Sequence, residues 1–422
     1  GAILIDNEAL SDRIDILKKE YFYKPEHQHI YEAISNLFQD AKPIDILTVT
    51  DELKRLGKLK QAGTAYYVSQ LTTQVSSSAN TEYHARIIAE KFIQRKLINI
   101  SSGIIEESLD ETIDVFETLN KAEQELFNVT EGTLRKSYDS MGDLINIALK
   151  NIEELQNQEA GLSGVPSGFS KLDRVTSGWQ KSDLVIVAAR PGMGKTAFAL
   201  SMARNIAVEH NMGVAVFSLE MSSEQLVNRL ISSESEISAG KLRKGELVDH
   251  EWVQLHSKIK GLSKAPIFID DTPAISVFEL RAKARRLVKK HGIKMIMVDY
   301  LQLMTAGGKG GNREQEISTI SRSLKSIAKE LNVPVIALSQ LSRAVETRGG
   351  SKRPLLSDLR ESGAIEQDAD IVSFIFRPEY YGLTEWDDED GTPCEGQAEF
   401  IIAKHRNGGL ENIRLKFTGY LA

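Results

Sequence analysis

The sequence predicts a helical N-terminal domain followed by an α/β domain whose mostly parallel sheet is covered by helices on both faces. Apolar residues recur at helical spacing through residues 1–130, whereas short apolar runs alternate with helical segments in residues 166–422. Within the second part, residues 184–199 have the pattern of a strand, a glycine-rich loop and a helix in direct succession. The length of 422 residues exceeds what one hydrophobic core usually supports, which favours two domains.

The composition is that of an ordinary soluble protein. Hydrophobic residues make up 41% and charged residues 26% of the chain, and no apolar run approaches a membrane span. Cys394 is the only cysteine, which excludes an intrachain disulfide and a cysteine-based zinc site. Gly1 opens the chain without a signal-peptide layout, so we expect a trimmed or mature fragment of a cytoplasmic protein with no membrane association. The net charge of −7 gives no sign of a global nucleic-acid-binding surface but permits a local basic channel.

Residues 1–130 carry helical signals without catalytic spacing. Pro25 suits the first turn of one helix, and Asp45 can cap a second that Gly57 closes. Further helices are predicted for residues 80–109 and 110–129. The predicted apolar faces of the first and third helices are Ile30, Ile34, Leu37 and Phe38, and Tyr83, Ile87, Ile88 and Phe92. We expect a domain that binds protein or directs assembly.

Residues 131–165 are predicted to form a linker that contains one amphipathic helix. A polar interval precedes that helix, and Gly161 and Gly164 follow it. Its apolar residues recur at helical spacing and are Met141, Leu144, Ile145, Ala148, Ile152 and Leu155. Two interpretations stay open: the apolar face is buried on its own chain, or it docks on a neighbouring subunit.

The glycine-rich loop of residues 189–196 has the chemistry of a phosphate-binding loop. An apolar strand precedes it, and a helical segment runs from Lys195 to His210. Backbone N–H groups and a helix N-terminus bind phosphate, a lysine reaches the β- and γ-phosphates, and the next hydroxyl suits Mg²⁺. The nucleotide-binding residues predicted here are Ala189, Arg190, Pro191, Gly192, Met193, Gly194, Lys195 and Thr196. Ala189 departs from the general pattern, in which glycine opens the loop.

Further strands alternate with helices after this unit. Ser222 and Gln225 form a capping pattern for one helix, and Ser276 can cap another that ends before Gly292. Strands are predicted for residues 214–218, 267–269, 295–298, 333–338, 371–375, 399–403 and 413–417. Because chemistry in such sheets is found at the carboxyl ends of strands, the residues that follow each strand are candidates for a site.

Polar side chains follow or end these strands. Asp299 follows an apolar strand and is placed to support Mg²⁺. Glu220 follows the strand that ends at Ser218 and is placed to activate water, and Gln340 is placed to sense the γ-phosphate. Together with the loop, these residues predict an ATPase site that uses ATP and Mg²⁺.

Basic residues elsewhere indicate two additional roles. Lys404 and Arg406 lie after a predicted strand, far along the chain from the phosphate loop, and in a ring of subunits such a pair can reach the neighbour's γ-phosphate. Residues 305–313 and 342–353 are glycine-rich and basic and contain no aromatic residue, which is typical of loops that track a nucleic-acid backbone rather than bases. Solvated edges and flexible turns are the alternative interpretations.

Ordered motifs identify a family. They are ARPGMGKT (residues 189–196), FSLEM (217–221), MVDYLQLM (297–304), ALSQLSR (337–343), DLRESGAIEQDAD (358–370) and AKHRNG (403–408). The chain resembles, from end to end, the bacterial replicative DNA helicases of the DnaB family, whose loop has this same form with alanine first. The acidic run at residues 385–390 resembles a local insertion.

The resemblance implies a RecA-like C-terminal motor in a homohexameric ring. It also implies single-stranded DNA in the central channel, 5′→3′ translocation, and primase and a helicase loader as partners. Lys195 and Thr196 would hold phosphate and metal, Asp299 would support Mg²⁺, Glu220 would position water, and Gln340 would couple nucleotide state to a DNA loop. Lys404 and Arg406 would act in trans, and the DNA backbone would be gripped by Arg360, Glu361 and Gly363.

Other classes of protein share parts of this pattern. A recombinase-like ATPase would have the same core and form a filament on DNA, but it would not need the helical domain or the linker helix. A nucleotide-gated DNA clamp without catalysis would not need Glu220.

Overall fold

The computed structural model describes residues 1–5, 17–40, 42–75, 80–110, 162–305, 313–348, 352–359, 363–387 and 391–421, together with single residues and pairs between 112 and 153. The chain divides into the compact units Gly1–Asp139 and Ser140–Ala422. This division falls within the predicted linker, and the domain limits at residues 130 and 165 stay predictions.

The N-terminal unit is helical, as the sequence predicts. Its described α-helices are α1 (Ala2–Ile5), α2 (Pro25–Gln39), α3 (Ile46–Arg55), α4 (Thr64–Thr73) and α5 (Thr81–Ser108). Asp45 caps α3, because its Oδ1 accepts hydrogen bonds from the backbone N–H of Leu47 and Thr48, both at 2.8 Å. The described residues from Val115 to Val129 are also helical, in agreement with the predicted next helix.

Of the two apolar faces predicted for this unit, the structure confirms one and contradicts part of the other. On α2, Ile30, Ile34 and Leu37 are buried, which confirms the predicted face. On α5, the predicted stripe is wrong at Tyr83 and Ile87, which are 67% and 37% exposed. The small residues of α5, Ala85 and Ala89, are buried instead, because they allow the neighbouring helix surface to approach closely.

The C-terminal unit is built on one eight-stranded sheet with the order β3-β2-β4-β5-β1-β6-β7-β8. The strands are β1 (Leu184–Ala189), β2 (Val214–Ser218), β3 (Ile267–Asp270), β4 (Met295–Asp299), β5 (Val335–Gln340), β6 (Ile371–Phe376), β7 (Gln397–His405) and β8 (Asn412–Lys416). The first six pair in parallel, whereas β7 and β8 are antiparallel, so the predicted mostly parallel sheet is confirmed.

Helices cover both faces of this sheet. They are α6 (Ser170–Thr176), α7 (Lys195–Arg204, continued by the π-helix Asn205–Glu209), α8 (Ser223–Ser235), α9 (Ala239–Lys244), α10 (Asp249–Leu262), α11 (Val277–His291), α12 (Arg313–Leu331), α13 (Ala344–Thr347) and α14 (Gly363–Asp368). Alternate residues of β1 face opposite cores: Ile186 packs with α11 and α12, and Val187 packs with α7 and α8. Continuous apolar strands are expected where both faces are buried.

The strand ends differ from their predicted positions by a few residues. β5 begins at Val335, two residues later than predicted, because Pro334 has no N–H to donate to the ladder. β7 continues to His405, so Lys404 lies within the strand and not after it as predicted. The segment 342–353 is not entirely a loop, since α13 lies inside it.

A charged cluster lies at the amino end of β1. The Asp370 carboxylate accepts a hydrogen bond from Leu184 N at 2.8 Å and pairs with Lys325 Nζ and, at 3.3 Å, with Arg406 Nη1. Asp183 lies beside this carboxylate. Burial and the charge of Asp370 raise the pKa of Asp183 to about 6, although Lys325 and Arg406 oppose the change.

Replacing Asp183 with asparagine is expected to stabilise the C-terminal unit, and more so at higher pH. A carboxyl group with a raised pKa in the folded chain costs stability above its unfolded pKa, and that cost grows as pH rises from 3.8 to about 6. Asp183→Asn should therefore raise the free energy of unfolding by about 1–3 kcal/mol at pH 7.5 and by less at pH 5. Thermal unfolding at both pH values measures this, and a larger gain at pH 5 would contradict it.

Candidate nucleotide-binding site

The loop between β1 and α7 has the backbone that a phosphate-binding loop requires. Gly192 and Gly194 have φ angles of +79° and +93°, which favour glycine. A Cβ atom on Gly194 would lie 2.7 Å from the Phe417 ring, and one on Gly192 would lie 3.0 Å from the Tyr380 ring. Both positions therefore exclude larger residues, and Lys195 and Thr196 begin α7 directly behind them.

The sheet brings the predicted catalytic residues to the same edge as this loop. Ala189 at the end of β1 pairs with Gln340 at the end of β5, and Ser218 at the end of β2 pairs with Asp299 at the end of β4. Since β4 and β5 are neighbours, the carboxyl ends of these four strands are adjacent. Glu220 is exposed and follows β2 at this edge.

Thr196 and Asp299 make the contact expected of a magnesium site. Thr196 Oγ1 donates a hydrogen bond to Asp299 Oδ2 at 2.7 Å, across 103 residues of sequence. Asp299 is buried, and its Oδ1 has no hydrogen-bond partner among the described residues. A hydroxyl, one carboxylate, phosphate and water are a usual ligand set for Mg²⁺, so these residues fit the ion. No cluster of three or more metal-binding side chains occurs among the residues with described positions.

Lys195 lies close to an aromatic ring and is influenced by the charges of two carboxylates. Its Nζ is 4.4 Å from the centroid of the Tyr300 ring. Burial lowers the pKa of Lys195, while the negative charges of Asp299 and Glu220 act in the opposite direction. Burial and the same two carboxylates raise the pKa of Tyr300. The lysine is thus held close to both acidic residues, in a partly desolvated position where a phosphate would be a strong partner.

Gln302 links the ends of β4 and β5. Its Nε2 donates to Ser339 Oγ at 2.8 Å, and its Oε1 accepts from the backbone N–H of Gln340 at 3.2 Å. These bonds position the backbone of Gln340 beside the site. Gln302 was not predicted as a site residue, although it belongs to the motif at residues 297–304.

Arg377 and Phe417 were also missed by the sequence analysis. The guanidinium carbon of Arg377 lies 3.8 Å from the centroid of the Phe417 ring, and Nη1 donates to Gly192 O at 3.2 Å. Neither residue stands in a recognised motif, and 40 positions separate them in the sequence. Each directly follows a strand, Arg377 after β6 and Phe417 after β8, and this position is the signal that could have indicated them.

Lys404 and Arg406 lie at the opposite end of the sheet from the loop of their own chain. Lys404 Nζ donates to Ala369 O at 2.9 Å and also to Glu366 O. Arg406 bonds Asp370 and Gln367 O, and Asp370 is bonded to Leu184 at the start of β1. β1 contains six residues, so its two ends are roughly 16 Å apart. The structure therefore does not bring this pair to the loop at residues 189–196.

The predicted DNA-binding residues are only partly described. Arg360 and Glu361 lie outside the described residues, as do residues 306–312 and 349–351 of the two glycine-rich segments. Gly363 is the first residue of α14.

In the described part of the chain, no helix is both long enough and apolar enough to cross a membrane.

Comparisons with known proteins agree with this architecture. The model of the DnaB-like helicase N terminal domain matches residues 1–90, and that of the DnaB-like helicase C terminal domain matches residues 164–422. The replicative DNA helicase DnaB of Geobacillus stearothermophilus is 45% identical over 418 residues, which cover 99% of this chain and 90% of that protein. The replicative DNA helicase DnaC of Bacillus subtilis is 45% identical over 419 residues, which cover 99% of this chain and 90% of that protein.

Solved structures give the same result. One, described as a DnaB-like replicative helicase and its interactions with primase, has a TM-score of 0.71 and 36% identity and covers 99% of this chain and 96% of that chain. A second, described as an ATPase domain, has a TM-score of 0.62 and 39% identity and covers 68% of this chain and 98% of that chain. With both domain models matched in order, the chain belongs to the DnaB family of ATP-dependent replicative DNA helicases.

Proposed function

We propose that this chain is the motor subunit of a ring that hydrolyses ATP, translocates 5′→3′ on single-stranded DNA and unwinds duplex DNA at a replication fork. The observation that carries the proposal is the meeting of the glycine-rich loop with Asp299, Gln340 and Glu220 at one sheet edge. These residue types supply what phosphoryl transfer needs, which is charge neutralisation and positioning.

Each residue of the site has a separate role in this proposal. Lys195 neutralises charge on the β- and γ-phosphates, and Glu220 orients the attacking water and accepts its proton. Thr196 and Asp299 would hold Mg²⁺, which would supply Lewis-acid stabilisation of charge on the phosphates. Gln340 senses the γ-phosphate and passes its presence to the segment that follows β5. Backbone N–H groups of residues 190–194 cradle the phosphates.

Lys404 and Arg406 are proposed to act on the ATP of a neighbouring subunit. Their distance from their own loop supports this, because a side chain at the amino end of β1 does not reach phosphates bound at its carboxyl end. Arg406 is 45% exposed and can therefore reach outward from its own subunit. The site would then be complete only in an assembly, and we propose a homohexamer.

The proposed partners follow from family membership. Single-stranded DNA would occupy the channel and contact Arg360, Glu361 and Gly363. Primase is proposed as a partner because the similar solved structure is described with its primase interactions. A helicase loader is proposed because a closed ring needs help to encircle DNA. We place the protein in the cytoplasm, where a bacterial chromosome is replicated.

The linker helix is proposed to dock on the neighbouring subunit. Leu144, Ala148, Ile152 and Leu155 of its predicted face lie outside the described residues. Met141 and Ile145 are described and are 72% and 49% exposed in the single chain. Exposed apolar side chains along one helix face favour a partner surface over burial on the same chain.

Ile145→Asp is expected to dissociate the ring while leaving each ATPase fold intact. An unpaired carboxylate buried at the interface would cost several kcal/mol per subunit. Light scattering measures the mass of the assembly, and circular dichroism checks the fold. Lys150→Asp, on the same helix, is the control for a new charge. An Ile145→Asp chain that stays hexameric would show that this face is not part of the interface.

Strand displacement on a forked duplex tests the helicase proposal directly. With only one free tail polarity offered at a time, unwinding should require a free 5′ tail on the strand that the ring encircles. The matches to both DnaB domain models do not favour the recombinase interpretation. A filament in place of a closed ring, or turnover of ATP without strand displacement, would contradict the proposal.

A further inference from the structure

The guanidinium of Arg190, within the nucleotide loop, is bonded to the segment that follows β5. Its Nε donates to Glu346 Oε1 at 2.8 Å, and its Nη1 donates to Leu341 O at 2.8 Å. Arg190 is 8% exposed, whereas the Glu346 side chain is 36% exposed. The hydrogen bond from Arg190 lowers the pKa of the Glu346 carboxyl. A buried cation is thus paired with a carboxylate that is 156 residues away in sequence.

The segment after β5 is connected to the nucleotide loop at more than one point. Leu341 N donates to Ala189 O at 3.2 Å, which continues the β5–β1 pairing into the first residue of the loop. Leu341 and Val345 are buried in the core, and α13 carries Glu346 on its outer side. The same segment is also bonded to a residue outside the nucleotide loop, because Ser342 N donates to Asp358 O at 3.0 Å.

An exposed cation lies on the same turn as Glu346. Arg343 precedes α13 and is exposed, and its carbonyl oxygen accepts a hydrogen bond from Glu346 N at 3.0 Å. A displacement of Glu346 therefore moves the backbone of Arg343. Exposed arginines contact the phosphates of a DNA backbone without regard to base sequence.

The pairing of Arg190 with Glu346 restricts independent movement of the two segments. A buried guanidinium is costly without a charged partner, so a movement of the loop that carries Arg190 shifts the favoured position of Glu346 as well. When nucleotide phosphates enter the loop, they add anionic partners beside Arg190. The strength of the pairing between Arg190 and Glu346 therefore differs between the empty and the occupied loop.

We propose that the Arg190–Glu346 ion pair is a positioning contact through which nucleotide in the loop changes the affinity of the Arg343 turn for single-stranded DNA. The inference rests on the proposed function, since it needs both ATP at residues 189–196 and DNA at this turn. Glu346 does not touch either ligand in this scheme and acts through Arg190. Coupling between two sites is reciprocal, so DNA at the Arg343 turn changes nucleotide affinity by the same factor.

The test is Glu346→Gln in the full-length assembled chain. The variant keeps the size of the side chain and removes the charge that pairs with Arg190. The affinity for oligothymidylate is measured with and without a non-hydrolysable ATP analogue, and ATP hydrolysis is measured with and without the same DNA. We expect the ratio of the two DNA affinities, and the DNA stimulation of hydrolysis, to fall by about 3- to 30-fold. Hydrolysis without DNA, measured at saturating ATP, should stay within about twofold, because Glu346 touches neither ligand.

Two further variants separate coupling from a structural role. Glu346→Asp keeps the charge and should retain part of the coupling. Glu279→Gln removes a comparable ion pair, with Lys283 at 2.9 Å, on α11 of the same unit and should leave the coupling unchanged. If Glu346 only stabilised the fold, Glu346→Gln would lower the melting temperature and change hydrolysis equally with and without DNA.

The outcomes distinguish this inference from the proposed function. If the wild-type chain hydrolyses ATP but neither binds nor responds to DNA, the proposed function fails and the coupling fails with it. If the wild-type chain responds to DNA and Glu346→Gln responds equally, the helicase proposal stands and the ion-pair inference is overturned.

Discussion

Lys195→Ala is expected to lower the rate of ATP hydrolysis by about a hundredfold or more, because it removes the positive charge that neutralises the γ-phosphate as its bond breaks. The lysine stands at the start of α7, where burial lowers its pKa and the carboxylates of Asp299 and Glu220 oppose that change. Without the lysine, these carboxylates would repel the phosphates instead of sharing a cation with them. Steady-state turnover at saturating ATP measures the loss.

The fold should survive this change, because the Lys195 side chain contacts the Tyr300 ring and is not part of either hydrophobic core. Thermal unfolding of the variant should therefore match that of the wild-type chain. Lys171→Ala, an exposed position on α6, provides the matched lysine control and should retain full turnover. Near-wild-type hydrolysis by Lys195→Ala would show that this loop is not the catalytic nucleotide site.

Arg406→Ala is expected to spare nucleotide binding and to lower turnover by about 10³–10⁵-fold, the range known for other arginine fingers. The reason is geometric. Arg406 bonds Asp370 at the amino end of β1, whereas the phosphate loop follows the carboxyl end of the same strand. A guanidinium in that position can stabilise transition-state charge only on ATP bound by a neighbouring subunit.

Mixing two inactive chains tests whether Arg406 acts in trans. An Arg406→Ala chain still has Glu220, and a Glu220→Ala chain still has Arg406. Where the first binds ATP next to the second, in the correct orientation, a complete site is restored. Activity should reappear in mixed rings in proportion to the number of such junctions.

Two controls accompany the mixing experiment. A label on each chain must show that mixed rings form, and Lys404→Ala mixed with Glu220→Ala should behave in the same way as the arginine variant. If mixed rings form without any return of activity, and if Arg406→Ala also lowers the residual rate of a dissociated chain, the residue acts in cis.

Much of the fold could be predicted from local patterns. The capping oxygens of Asp45 and Ser222, the apolar β-branched runs of β1 and β4, and the turn glycines around residue 194 act over a few residues, and the structure confirms them. The helix α12 was not predicted, although its buried residues Ile317, Ile320 and Leu324 recur at helical spacing.

Part of the candidate site could also be predicted from local sequence patterns. Asp299 and Gln340 end strands, Glu220 follows one, and Lys195 and Thr196 begin the helix after the loop that follows β1. The parallel-sheet rule places these strand ends together. Their roles in catalysis stay predictions. Arg377 and Phe417 directly follow β6 and β8 but were missed, because no motif marks them and the sequence does not show that they meet.

The sequence by itself determined the residue types, the periodicity of each element and the ordered motifs that indicate the family. Only the tertiary structure decided which distant residues meet: Thr196 with Asp299, Arg190 with Glu346, and Arg406 with Asp370 at the far end of β1. The physical reason is that secondary structure depends on neighbours along the chain, whereas these contacts depend on strand order and on which side of the sheet each crossover packs.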